Sequence, residues 1–175
     1  MRNHQLIERF SPDQLQRRIS RLADQIRIDY QDRQLVAIGI LKGAFIFLAD
    51  LIRYMNIPLE VDFIRLASYG AMTESSGSIT VTKDIELSIA NKDVLVVEDI
   101  VDSGITMAWL LDHLRRKNPN SLKTCVCIDK RERREQSVFI DYVGIEVAEG
   151  FLVGYGLDYS EQYRYLPGIY EVKFP

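Results

Sequence analysis

Residues 93–106 read DVLVVEDIVDSGIT. The opening DVLVVED (93–99) is short and apolar through its middle, the pattern of a strand covered on both faces, as in a parallel sheet. Two acids end it, a small-residue turn follows, and Ile105 to Arg116 reads as a helix. A buried strand that turns through a glycine into a helix is half of a βαβ unit. The flanking chain repeats the theme. LVAIGI (35–40) and LKTCVCID (122–129) are further buried strands, and AFIFLADLIRYM (44–55) is a helical pattern. LEVDFIRL (59–66) and SITVTK (78–83) read as strands, and YVGIEV, FLVGYGL and IYEVKF are short β-like pieces after residue 142. Ser11-Pro12-Asp13-Gln14 is a helix start with a capping box, and Leu15, Ile19, Leu22 and Ile26 then share one face. Strands alternating with helices define an α/β fold with a mainly parallel central sheet flanked by helices. With no repeat and no linker, residues 1–175 read as a single domain.

Ligands in such sheets bind beyond the carboxyl ends of the strands. That rule selects the loops 41–43, 67–78, 98–106 and 129–135. The third, 98–106, is the strongest chemical signal. Ser103, Gly104 and Thr106 stand where a helix begins, and there free backbone N–H groups and the positive dipole end favour an anion. No G-x-x-x-x-G-K or G-x-G-x-x-G pattern is present, so this is neither a Walker loop nor a dinucleotide fingerprint. Glu98 and Asp99 would repel a phosphate beside them. They make sense as acceptors for sugar hydroxyls, or as holders of a magnesium ion that the ligand shares. The ligand implied is a ribose 5-phosphate, with its phosphate at the helix end and its diol on the acids.

The stretch 94–106 resembles the phosphoribosyl pyrophosphate signature of the type I phosphoribosyltransferases, and about Leu35 to Arg164 resembles their hypoxanthine–guanine (6-oxopurine) branch. The resemblance implies the type I fold, with a small hood formed by the chain termini and a mobile lid loop at about 67–78 that starts with Ser68 and Tyr69. It implies that Glu98 and Asp99 engage the ribose hydroxyls and magnesium, and that Asp102 manages the proton at purine N7 as the catalytic acid or base. Ser103, Gly104, Ile105 and Thr106 would form the 5′-phosphate loop. Some members carry lysine where this chain has Ile105, a position that acts through its backbone. Leu41-Lys42-Gly43 resembles the pyrophosphate loop, with a cis peptide before the lysine. Lys130 would contact the purine 6-oxo group. In FLVGYGLDY (151–159), Phe151 would stack on the purine, the Leu152 backbone would meet the base edge, and Asp158 would sit by a second magnesium ion. Arg164 would meet the pyrophosphate. The implied reaction joins N9 of hypoxanthine or guanine to the phosphoribosyl group, giving IMP or GMP and pyrophosphate, with two magnesium ions. A homo-oligomer, dimer or tetramer, goes with it.

Composition bounds the alternatives. The chain is 47% hydrophobic and 27% charged, ordinary values for a globular protein, with a net charge of −3. That charge supplies no global attraction for nucleic acid or an anionic membrane. A nucleic-acid-binding regulator on the same fold has only KRERRE (130–135) with Arg115, Arg116 and Lys117 to support it, and Glu132 and Glu135 interrupt the run. Residues 131–135 read as a solvated charged stretch. A phosphoribosyltransferase for another base remains open, with Lys130 and FLVGYGLDY favouring 6-oxopurines. No apolar run reaches the ~18–20 residues of a membrane span, and MRNHQLIERFSPDQ has no apolar signal core. Cys125 and Cys127 share one strand face and read as buried thiols of a cytoplasmic protein. His4 and His113 are too few for a His-rich metal site or a nucleophile triad.

Overall fold

The computed structural model describes residues 4–69 and 78–174. Strand β1 (Gln5–Phe10) leads into α1 (Pro12–Tyr30), then β2 (Leu35–Leu41), α2 (Phe45–Met55), β3 (Glu60–Tyr69) and β4 (Ser78–Lys83). The second half runs β5 (Asp93–Val101), α3 (Ile105–Arg115), β6 (Ser121–Lys130), β7 (Tyr142–Val147), β8 (Leu152–Val153) and β9 (Ile169–Lys173). The capping box at Ser11 is formed: Gln14 N–H donates to Ser11 Oγ at 3.4 Å, and Ser11 N–H to Gln14 Oε1 at 2.9 Å.

The central sheet has the order β4-β3-β2-β5-β6-β7. All its pairings are parallel except β3 with β4. Strand β2 and the middles of β5 and β6 are apolar on both faces because both faces are covered. Leu35 and Ala37, Leu95 and Val97, and Cys125 and Cys127 point into one core with the buried faces of α1 and α2. Val36 and Ile38, Val94 and Val96, and Val126 point into the other, against Met107, Leu110, Leu111 and Leu114 of α3. The alternation predicted for the C-x-C pair is therefore observed, and both cysteines are buried free thiols.

A second, antiparallel sheet of order β1-β9-β8 joins the first strand of the chain to the last. This is the small hood. Strand β1 was not read from the sequence. It presents mostly exposed residues, and its partner β9 lies at the far end of the chain, Gln5 opposite Lys173.

Two boundaries are corrected. The polar stretch taken as a loop at 67–78 starts and ends as strand. Ala67, Ser68 and Tyr69 pair with Thr80, Ile79 and Ser78 through backbone bonds that do not depend on side-chain polarity. The remaining lid residues, 70–77, lie outside the described residues. The second correction concerns 131–135, where Arg134 is not solvated but lies folded back against β5 and β6.

Candidate active site

The carboxyl ends of β2, β5 and β6 lie side by side. Each delivers a predicted site residue because its strand stops there. Lys42 and Gly43 follow β2, Glu98 to Val101 finish β5 with Asp102 next, and Lys130 ends β6.

The peptide bond Leu41–Lys42 is cis. A Cβ placed on Gly43 would lie 1.6 Å from Asp99 Oδ2, so only glycine lets the loop pass this close to the carboxylate. On its other side the Gly43 carbonyl lies 2.1 Å from where a Cβ of Gly156 would be. Gly156, at φ +100°, was not singled out from the sequence, although it lies within FLVGYGLDY.

Lys42, Gly43, Glu98, Asp99, Asp158 and Arg164 line a cavity of about 260 Å³ together with Thr106. A neighbouring cavity of about 200 Å³ runs along Asp102, Ser103 and Gly104 and shares Glu98, Asp99 and Thr106 with it. A larger cavity of about 400 Å³ lies between α1, α2 and the segment 165–167 and contains none of the predicted site residues.

Gly104 caps α3 in a left-handed conformation, φ +82°, and no side chain caps that helix. Ser103 Oγ accepts from Ile105 N–H at 3.4 Å. The first amides of α3 have no carbonyl within the helix to bind, so they are available to an anion.

The acids are electrostatically distinctive. Burial first, and the neighbouring Asp99 carboxyl second, raise Glu98 well above the usual carboxylate range. Burial also raises Asp99, against the opposing pull of hydrogen bonds from Glu98 and the Ile100 amide and the charge of Arg164. Two oxygen-donor acids held at that disadvantage fit a divalent cation, which would offset the repulsion between them. Among the described residues no three His, Cys, Asp or Glu side chains converge on one metal position. Glu98 with Asp99, and Asp158 alone, are therefore separate places where an ion would complete its shell with ligand oxygens and water.

Asp158 is held by Glu161 N–H at 2.8 Å and by Arg164 at 2.7 Å. The Arg164 guanidinium also donates to Gly156 O at 2.7 Å, while its buried Nε has no partner. Glu161, which the sequence did not single out, lies 2.9 Å from Lys42 Nζ and 3.4 Å from Arg164 Nη2. A carboxylate thus rests between the two cations assigned to pyrophosphate.

On the other side of the phosphate loop, Lys130 is buried, with 5% of its surface exposed. Its ammonium lies 3.0 Å from Asp102 Oδ2 and donates to Gly150 O at 3.1 Å. Asp102 Oδ1 is buried without a partner. Phe151 follows Gly150 and keeps 42% of its surface exposed, with Tyr159 and Phe174 packed edge-on against its ring. Leu152 is buried as the first residue of β8. The predicted residues thus form two groups, one around Lys42 and Arg164 and one around Lys130 and Phe151, joined by 98–106. The backbone of Ser68 and Tyr69 continues β3 beyond Arg65, which pairs with Leu41 at the end of β2, and Ile79, the partner of Ser68, lines the cavity that holds Lys42.

A mainly parallel sheet with a phosphate turn after β5 and a hooded wall opposite defines a sugar-phosphate enzyme of the phosphoribosyl type. Comparison with known proteins agrees. Residues 11–160 match the family model for the phosphoribosyl transferase domain. The chain belongs to that family. It is 46% identical over 162 residues to the hypoxanthine-guanine phosphoribosyltransferase of Aquifex aeolicus, covering 92% of this chain and 91% of the relative. Over 168 residues it is 44% identical to the Dictyostelium discoideum protein of the same name, covering 94% and 93%. The crystal structure of a Bacillus anthracis hypoxanthine-guanine phosphoribosyltransferase superposes with a TM-score of 0.90 at 42% identity, covering 98% of this chain and 99% of that one.

Proposed function

We propose that the chain transfers the 5-phosphoribosyl group of phosphoribosyl pyrophosphate to N9 of hypoxanthine or guanine, giving IMP or GMP and pyrophosphate. The observation that carries the reading is the pairing of a buried Lys130 with Asp102 at 3.0 Å, between the phosphate turn and the exposed face of Phe151. A buried ammonium offers donors only, so it favours a 6-oxo acceptor over a 6-amino donor.

The 5′-phosphate lies on the α3 amides with the hydroxyls of Ser103 and Thr106. The ribose diol meets Glu98 and Asp99. Pyrophosphate lies on Lys42, the Gly43 loop and Arg164, whose unpartnered Nε–H is a ready donor. Magnesium, when bound at Glu98 and Asp99 and at Asp158, supplies positive charge to the departing pyrophosphate oxygens. Asp102 accepts the purine proton or returns it at N7, and its unpartnered Oδ1 is free for that contact. Phe151 presents its ring to the base and the Leu152 backbone reads the base edge. The oxocarbenium-like sugar must be kept from water, which is the purpose of a lid over 67–78 with Ser68 and Tyr69 at its root. One domain, 1–175, carries the whole site, as a homodimer or homotetramer in the cytoplasm.

The test is a coupled assay with phosphoribosyl pyrophosphate, magnesium and five bases: hypoxanthine, guanine, xanthine, adenine and uracil. Turnover of hypoxanthine or guanine with release of pyrophosphate is expected. Turnover of adenine or uracil alone overturns the base assignment, and no turnover of any base overturns the reading.

A further inference from the structure

The charged stretch 130–135 contains two arginines with opposite surroundings. The Arg131 side chain is 66% exposed, whereas that of Arg134 is 18% exposed. The Arg134 guanidinium is engaged through Nε and Nη2. Its Nε donates to Asp102 O at 2.8 Å, and Nη2 donates to Val101 O at 3.1 Å and Lys130 O at 3.2 Å. Nη2 also pairs with the buried carboxylate of Asp129. One side chain therefore gathers the ends of β5 and β6, the two ends that present Asp102 and Lys130. The next two residues continue the clamp. Glu135 N–H and Gln136 N–H both donate to Ser103 O at 2.9 Å. Gln136 O stands 2.3 Å from where a Cβ of Gly104 would be, so this segment is the outer wall of the phosphate turn.

We propose that Arg134 is a positioning residue that holds Asp102, Lys130 and the Ser103–Gly104 turn in one register, so that base and 5′-phosphate are engaged together. Its own guanidinium faces three carbonyls and a carboxylate rather than any substrate. The planar fork is what makes this possible. Its N–H groups point in fixed, divergent directions and reach several acceptors at once. A lysine keeps the ion pair with Asp129 but, as a point charge on a flexible stem, cannot hold three carbonyls in place. The inference rests on the reading of the site as a 6-oxopurine phosphoribosyltransferase.

Arg134→Lys, Arg134→Gln and Arg131→Gln are compared with the unaltered chain, each assayed well below its own melting midpoint. The third is a control, since Arg131 pairs with Asp129 at 2.9 Å yet touches no part of the phosphate turn. Arg134→Lys is expected to fold and to lose about 10- to 100-fold in kcat, the scale of a small displacement of reacting groups, with KM for base raised several-fold. Arg134→Gln loses at least as much, and Arg131→Gln stays within about twofold of the unaltered chain. Purely structural support would lower the melting midpoint of Arg134→Lys and leave kcat and KM of the folded enzyme unchanged, and that result overturns the proposal. An inactive unaltered chain overturns the underlying reading instead. Arg134→Gln failing to fold leaves the decision to Arg134→Lys.

Discussion

Asp102 and Lys130 share an ion pair but are expected to fail differently when replaced. Asparagine at 102 keeps the shape and removes the basic oxygen. Asp102→Asn is therefore expected to lower kcat by about 10²–10⁴-fold, the usual range for positioned proton transfer, with little change in the KM for phosphoribosyl pyrophosphate. Steady-state kinetics with both substrates varied decides it, and equal losses in kcat and in sugar-phosphate affinity would remove the proton role. Lys130→Ala deletes a buried donor beside the proposed base position. It is expected to raise the KM for hypoxanthine and guanine at least tenfold, on the scale of about 1.5–3 kcal/mol for a charged hydrogen bond, while phosphoribosyl pyrophosphate binding stays within a few-fold. Unchanged purine kinetics would detach Lys130 from the base. The acid pair and glycine turn were legible because they follow one another at a strand end, whereas Asp102 and Lys130 were singled out through the family resemblance. Arg134 was not, because a charge inside a charged run has no period and no neighbour that marks it as buried. Glu161 was hidden for a similar reason: its partners Lys42 and Arg164 come together only in the fold.

Helix α1 shows what an element can be held to from sequence alone. Its cap, its proline at the first turn and its buried stripe of Leu15, Ile19, Leu22 and Ile26 were all readable, and each is observed. Ser11→Ala removes the hydroxyl that receives the Gln14 amide. The expected loss is about 0.5–2 kcal/mol of stability, read as a lower urea midpoint at unchanged slope, with kcat unaltered because α1 lies outside the site. A matching loss of activity in the folded protein would mean that α1 reaches the site after all. The inner strands β2, β5 and β6 were legible because burial on both faces leaves continuous apolar runs. The edges were harder. In β1 only Leu6 and Phe10 are half-buried, so its alternation is faint, and only its partner β9 makes it a strand. The end of β3 is polar yet remains strand because β4 pairs with it. In both cases a contact between distant segments overrides the local pattern.

At the scale of the whole molecule, the acid pair exchanges stability for function. Glu98 is raised in the folded state, so its contribution to stability is present below the ordinary glutamate pKa and is lost as pH rises through the folded value. Glu98→Gln removes that loss. The variant is expected to melt higher than the unaltered chain at about pH 8 and at nearly the same temperature at about pH 5, while losing most turnover. Calorimetry at both pH values checks it, and an equal offset at the two would exclude Glu98 as the cause. The arrangement of sheets has a further effect, on the order in which the molecule is made. A chain growing from its amino end has released β2, β5 and β6, with the phosphate turn among them, by Lys130. Strand β1 emerges before all of these yet pairs only with β9, Ile169–Lys173. Pairings that distant close slowly, and domains take shape as they are synthesised. The turn 98–106 and Lys130 are therefore in place before Phe151, Asp158 and Arg164 emerge, and the sheet that brings Phe174 edge-on against Phe151 closes only after them.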